Sequence, residues 1–248
     1  MAQKQQPAKS KRQILREQRL KRQRQQRMVA ILAVSVGAVV IAALLIIPSL
    51  TPVGEIAQIT PFDRPMVEGT AMGSADAPVL IEVWEDFQCP ACRRFSDEVE
   101  PQIIQNYIAT GKVRYVFRHY PFLDDRVVSK ESDQAANASM CASEQGRFWD
   151  YHDILFANWN SENAGAFSNK RLVAYAETLS LDMDSFNTCF KANRYQEQIE
   201  ADLAAGNQAG VTGTPSLFVN GQQISPGLIP SYEDVSEAVE AALAAAGD

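Results

Sequence analysis

Cys89 and Cys92, with only Pro90 and Ala91 between them, are the residues whose type and spacing most directly offer chemistry. They lie in EDFQCPACRRF, Glu85 to Phe95. Such a pair can be half of a zinc site, a covalent staple, or a dithiol that cycles through a disulfide. Zinc asks for four ligands, commonly two such pairs or one pair plus two closely spaced histidines. The only histidines, His119 and His152, are far apart in the chain, and no metal is expected. A disulfide across two residues closes so short a loop that it restrains little of the unfolded chain. The redox reading has positive support. Cys89 stands where a strand gives way to a helix, with Pro90 at the first helical position. Unsatisfied N–H groups and the positive end of the helix dipole then point at its sulfur. Arg93 and Arg94 add charge nearby. These effects favour thiolate over thiol, so Cys89 is expected to have a depressed pKa. Cys92, one turn further in, takes the role of buried resolving partner. A thiol that ionises easily also leaves easily, which makes the disulfide easy to reduce and the pair an oxidant.

The elements that must hold this pair can be read from the pattern around it. Pro78 to Trp84, PVLIEVW, is a nearly continuous apolar run, as a buried strand has. Phe95, Val99 and Ile103 recur at helical spacing, with Pro101 expected to kink that helix. Lys112 to Phe117 alternates and reads as a second strand. From about residue 127 to 209 the character is helical, with no clear strand. Ser216 to Val219 returns to strand, and Asn220-Gly221 signals a type I′ hairpin into Gln222–Ile224. A last helix has Ser231 as N-cap, Asp234 three residues on, Val235, Val239 and Leu243 on one face, and Gly247 past its end. The order is that of an α/β domain with a helical insertion of about 80 residues.

What precedes the domain decides its compartment. The 248 residues carry a net charge of −7, but residues 1–28 hold ten of the 23 Lys and Arg and one of the 30 acids, which leaves the remainder at −16. Val29 to Ile47 are nineteen residues without a charge, about what a helix needs to cross a bilayer. A cleaved signal peptide has a shorter apolar region and ends in small residues. Here IIPSLTPVG follows, so an uncleaved anchor is the reading. The basic flank orients it with residues 1–28 in the cytoplasm and the remainder exported, and is read as a topological signal rather than a nucleic-acid patch. Residues 48–65 contain four prolines and are expected to form a stiff linker, with the catalytic domain at 66–248. Outside the cytoplasm an even number of cysteines is mostly paired. Cys141 and Cys189, neither in a C-x-x-C, are expected to form a structural disulfide within the insertion, the alternatives being free buried thiols or a second redox relay.

A strand ending in EDFQCPACRRF, a helical block containing CASEQGRFWDYHDILF, and then VTGTPSLFVNG together resemble the thioredoxin superfamily. More narrowly, the chain resembles its DsbA-like branch of membrane-anchored bacterial thiol-disulfide oxidoreductases with an inserted helical domain, over about residues 66–246. The resemblance implies a thioredoxin-like fold behind one transmembrane helix. It also implies that Thr214-Pro215 is a cis-proline loop lying against the active site, where Thr214 offers its backbone to an extended client. Pro90, Ala91, Thr214 and Pro215 would then form the client-binding surface. Many relatives have an acid six positions before the first cysteine, which helps move protons for the buried sulfur. That position here is Val83. Glu82, Glu85 and Asp86 are the nearby candidates for proton transfer, and alternation along a strand sends neighbours to opposite faces, leaving the choice open. The absence of histidine between the cysteines fits a milder oxidant. His119 is weighed as a group bordering the groove, and Trp149, Tyr151 and Phe156 as core of the insertion.

The function expected is extracytoplasmic oxidation of cysteine pairs in exported, unfolded clients, without a cofactor. A membrane redox partner, such as a quinone-linked oxidase, would regenerate the disulfide. The same dithiol run as a reductase (fed by an electron donor) or as an isomerase is the alternative, and a non-redox holdase is the alternative of another class.

Overall fold

The computed structural model describes residues 11–50, 52–126 and 129–246. The first ten residues of the basic segment, the start of the helical insertion at 127–128 and the Gly247 cap lie outside the described residues. The chain divides into two units, Met1–Pro52 and Val53–Asp248.

The first unit is one helix, α1 (Lys11–Leu50). It runs unbroken through the uncharged stretch, whose side chains from Val29 to Leu44 are nearly all exposed. At 1.5 Å per residue, nineteen residues span roughly 28 Å, the thickness of the hydrocarbon layer. Among the described residues this is the one helix long and apolar enough to cross a membrane. It fits an anchor or a signal sequence.

The second unit is built on a five-stranded sheet of order β1-β3-β2-β4-β5. Its strands are β1 (Ala71–Met72), β2 (Val79–Glu85), β3 (Val113–His119), β4 (Ser216–Val219) and β5 (Gln222–Ile224). Only β2 and β3 are parallel, in register from Val79↔Val113 to Glu85↔His119. Their connection runs through α2 (Pro90–Glu98), α3 (Glu100–Ile103) and a π turn at Ile104–Ile108. The interruption at Val99, ahead of Pro101, is where the missing N–H of proline breaks the helical ladder. Val79, Ile81 and Val83 on one face of β2 are fully buried. On the other face, Trp84 packs with Phe218 and Tyr120 in a small second core.

Among the described residues, five helices form the insertion: α4 (Glu131–Ser143), α5 (Phe148–Ala157), α6 (Asn169–Thr178), α7 (Met183–Lys191) and α8 (Gln196–Ala209). Trp149, Tyr151 and Phe156 are all buried in it. Cys141 on α4 and Cys189 on α7 are joined by a disulfide with Cα atoms 5.8 Å apart. Asn220 and Gly221 both have positive φ (46° and 79°) at the β4–β5 turn, as a type I′ hairpin demands. The last helix, α9 (Tyr232–Ala246), opens on a capping box. Its Asp234 N–H donates to Ser231 Oγ at 3.1 Å, and the Ser231 N–H donates to Asp234 Oδ2 at 3.0 Å.

One expectation needs correction. The stretch 48–65 is not a free linker along its length, because Val53 onward belongs to the second unit. Ile56 and Ile59 pack against the core. The Ala57 backbone N–H donates to Asn158 Oδ1 at 2.8 Å, and Asn158 Nδ2 donates to the Ala57 carbonyl at 3.1 Å. Arg64 is almost buried and donates to Asp153 at 2.8 Å and to Glu100 at 2.9 Å. Apolar and charged partners far along the chain, which composition does not reveal, turn a proline-rich segment into a strap.

Candidate redox site

Strand β2 ends at Glu85, and four residues later Cys89 caps α2 with extended backbone (φ −74°, ψ 121°) ahead of Pro90. The cap leaves the first N–H groups of α2 without helical partners. The loop between is tied down. Cys89 N–H donates to the Asp86 carbonyl at 2.9 Å. The Asp86 carboxylate accepts from Ser132 Oγ (2.6 Å) and from the N–H groups of Gln88 (2.8 Å) and Leu123 (3.1 Å).

Cys89 and Cys92 are free thiols. Cys89 is 6% exposed and Cys92 fully buried. The Cys89 thiol lies 3.3 Å from the Thr214 carbonyl, its acceptor. The Thr214–Pro215 peptide is cis. A groove of about 250 Å³ is lined by Ala91, Thr214, Pro215 and the exposed Leu228 beside this contact, while Pro90 is exposed next to it.

The two sulfurs are driven apart electrostatically. The Cys89 thiol is lowered from 9.0 to about 6. The main cause is hydrogen bonding from the Cys92 side chain, which outweighs burial, with help from Thr214 and from the N–H groups of Cys92 and Ala91. Cys92 is pushed well above 9.0 by its burial, then by its hydrogen bond to Cys89 and by the nearby Glu85. The arginines contribute differently from expectation. Arg93 lies over the Trp159 ring (5.5 Å) and near Asp97 (3.7 Å), and Arg94 is exposed.

The three candidate acids separate cleanly. Glu82 points away from the dithiol and pairs with Arg118 at 2.7 Å. Asp86 holds the loop as described, with its carboxyl raised to about 7 chiefly by burial. Glu85 is 1% exposed, and neither carboxyl oxygen has a hydrogen-bond partner among the described residues. Burial pushes it well above 4.5, the charges of Glu100 and Cys89 push further, and an interaction with Cys92 opposes them. Glu85 lies two residues beyond Val83, so alternation returns it to the face that Val83 occupies. The carboxyl has moved one step along the same side of the strand.

His119 does not border the groove. It is 1% exposed, held at tilted and edge-on angles among the rings of Phe87, Phe117 and Phe148, and its pKa is lowered to about 3 by burial and by His152. Gln88 escaped the sequence reading. It is fully buried, its carbonyl accepts from Trp159 Nε1 at 2.7 Å, and its Oε1 accepts from Asn163 N–H at 2.6 Å. It fastens the segment after α5 to the residue before Cys89. A glutamine preceding a cysteine carries no signal that would have shown this.

A parallel β2–β3 crossover, an antiparallel β4–β5 hairpin and a dithiol at a helix start define the thioredoxin-like class of α/β proteins. A family model described as Thioredoxin matches residues 66–241, and the chain belongs to that family. It is 36% identical over 151 residues to a Na(+)/H(+) antiporter NhaA 3 of Salinispora tropica, covering 61% of this chain and 21% of that protein. The chain thus spans only about a fifth of the length of the first curated relatives it matches. It is 26% identical over 174 residues to a probable disulfide bond formation protein D of Bacillus anthracis, covering 68% of this chain and 76% of the relative. The crystal structure of oxidised BdbD from Bacillus subtilis superposes with a TM-score of 0.63 at 23% identity, over 76% of this chain and all of that one, which establishes the common fold.

Proposed function

We propose that this protein is a thiol-disulfide oxidoreductase that donates the Cys89–Cys92 disulfide to cysteine pairs of exported proteins. The observation that carries this reading is the asymmetry of the two thiols, one lowered to about 6 and the other raised. A leaving group near pH 6 keeps the reduced form favourable and the disulfide reactive. A client thiolate attacks Cys89 Sγ. The Cys89–Cys92 bond breaks, and Cys92 leaves with the electron pair and takes a proton from Glu85, the buried carboxyl whose shift involves Cys92. The second client thiolate then attacks the client sulfur of the mixed disulfide and releases Cys89 as thiolate. The groove beside Thr214 and Pro215 is where an extended client chain would lie. Relatives named for disulfide bond formation support this assignment.

Residues 29–47 are proposed as the membrane anchor, with residues 1–28 cytoplasmic, the catalytic domain outside, and a membrane oxidant restoring the disulfide. Titration of the full chain in detergent against glutathione tests the direction. A potential of roughly −120 to −180 mV fits donation, and one near −270 mV fits a reductase.

A further inference from the structure

Behind the dithiol lies a second set of polar groups that the exchange chemistry leaves unused. Glu100 on α3, His152 on α5 and Tyr115 on β3 are all at most 1% exposed. Glu100 Oε2, His152 Nε2, the Tyr115 hydroxyl and both Glu85 oxygens have no hydrogen-bond partner among the described residues. Orphaned polar atoms in a core are costly, so several in one region need a common reason. His152 Nε2 is 3.8 Å from Glu100 Oε2, and His152 Nδ1 is 2.9 Å from Asp153 Oδ1. Asp153, 17% exposed, is clamped with Glu100 by Arg64 of the strap. Arg64 and Asp153 line a groove of about 300 Å³ with Asp97, Ser96 and Phe62. This groove shares no lining residue with the one beside Thr214.

We propose that Glu100 and His152 relay protons between Glu85 and the groove at Arg64 and Asp153, so that protons and clients reach the dithiol by separate routes. The proposal rests on Glu85 being the proton donor to Cys92. When Cys92 leaves and takes the Glu85 proton, a carboxylate is left in the core. The proton enters from water at the groove by way of Asp153 to His152 Nδ1, while His152 Nε2 passes one to the Glu100 carboxylate and Glu100 passes it on to Glu85. Reoxidation sends one proton back out. The other titratable and charged groups facing this relay are Cys89 at the start of α2, Cys92 and Asp97 on α2, Tyr115 and His119 on β3, Asp153 on α5 and Arg64 on the strap. Tyr115, buried with its hydroxyl unpartnered, feels the charges of Glu100 and Glu85. Short gaps between such groups can be bridged by buried water.

Reduction of the Cys89–Cys92 disulfide by dithiothreitol, followed by stopped flow on the full chain in detergent, tests this between pH 5 and 9 in H₂O and D₂O. Glu100→Gln and His152→Gln are each expected to slow the reaction about tenfold at neutral pH, within the range of a positioned proton-transfer group, and to enlarge the solvent isotope effect. Imidazole added to His152→Ala should restore the rate. If Glu85→Gln changes the pH profile while Glu100→Gln and His152→Gln keep the parent profile and isotope effect, the relay is overturned and Glu85 keeps its role. If Glu85→Gln also behaves as the parent, both readings fall. Slowing that imidazole does not relieve marks a packing role and overturns the relay as well.

Discussion

The chain carries two cysteine pairs that share burial but not fate. Cys89 and Cys92 are three positions apart and free, while Cys141 and Cys189 are 48 apart and bonded. All four are at most 6% exposed, so burial does not separate reactive from inert sulfur. Position along a helix does. Cys89 caps the start of α2, where N–H groups are unspent and the dipole favours an anion. Cys141 and Cys189 lie near the ends of α4 and α7, where N–H groups are committed to the ladder and the dipole disfavours a thiolate. One pair also has a carboxyl beside it, and the other closes a long loop. On the reading proposed above, the first pair exchanges and the second holds.

Removing the nucleophile should break the comparison most visibly. Cys89→Ser is expected to lower exchange activity by at least about a thousandfold, the scale of losing a covalent nucleophile. Cys92→Ser should instead accumulate mixed disulfides with clients, seen as slower bands on non-reducing gels. A Cys89→Ser variant that still oxidises a reduced client at the parent rate would place the chemistry elsewhere.

The second pair should answer in stability rather than activity. Replacing both Cys141 and Cys189 with Ala is expected to cost about 4 kcal/mol in urea unfolding, the entropic scale for a loop of this length. The glutathione equilibrium of Cys89–Cys92 should stay where it was. A shift in that equilibrium would mean the two pairs are coupled through α4 and the Gln88 loop, and the contrast would need redrawing.

Much of this contrast was legible before any coordinates. The C-x-x-C at a strand end, the Asn220-Gly221 hairpin and the Ser231–Asp234 box are local signals, and local geometry honours them. Strand β3 runs on to His119, past the expected end at Phe117, because pairing with β2 continues to Glu85. Strand β1 has two residues, too short for any period to register. The strap read as linker because its prolines are local, whereas Arg64 finds Glu100 and Asp153 at separations of 36 and 89 residues. Among the three acids, only the combination of strand face and burial singles out Glu85. Alternation alone relates it to Val83 but cannot say which face is the core.

A pH titration of reactivity sharpens the comparison within the first pair. Iodoacetamide alkylation of the reduced protein is expected to rise with a midpoint near pH 6 at Cys89, while Cys92 stays unreactive to well above pH 9. The sign for stability follows. A thiol lowered from 9.0 to about 6 adds stability to the reduced form that is complete above 9 and lost as pH falls through 6. Coincident alkylation midpoints would remove the asymmetry on which disulfide donation rests.

The smallest effect concerns Glu85, whose folded pKa is raised well above the ordinary carboxyl value of 4.5. Below that value the carboxyl is protonated in folded and unfolded chains alike, and nothing is lost. As pH rises past it, the unfolded chain releases the proton and the folded chain keeps it. Folding stability then declines by up to ~1.4 kcal/mol per pH unit until the folded carboxyl itself ionises. Glutamine does not titrate, so Glu85→Gln should match the parent near pH 4 and gain on it as pH rises above the ordinary carboxyl value in urea unfolding. The double Ala variant at Cys141 and Cys189, whose sulfurs do not titrate while bonded, should lose the same amount at every pH. A flat difference for Glu85→Gln would mean that the carboxyl is already ionised in the core, and Cys92 would then have to draw its proton from another group.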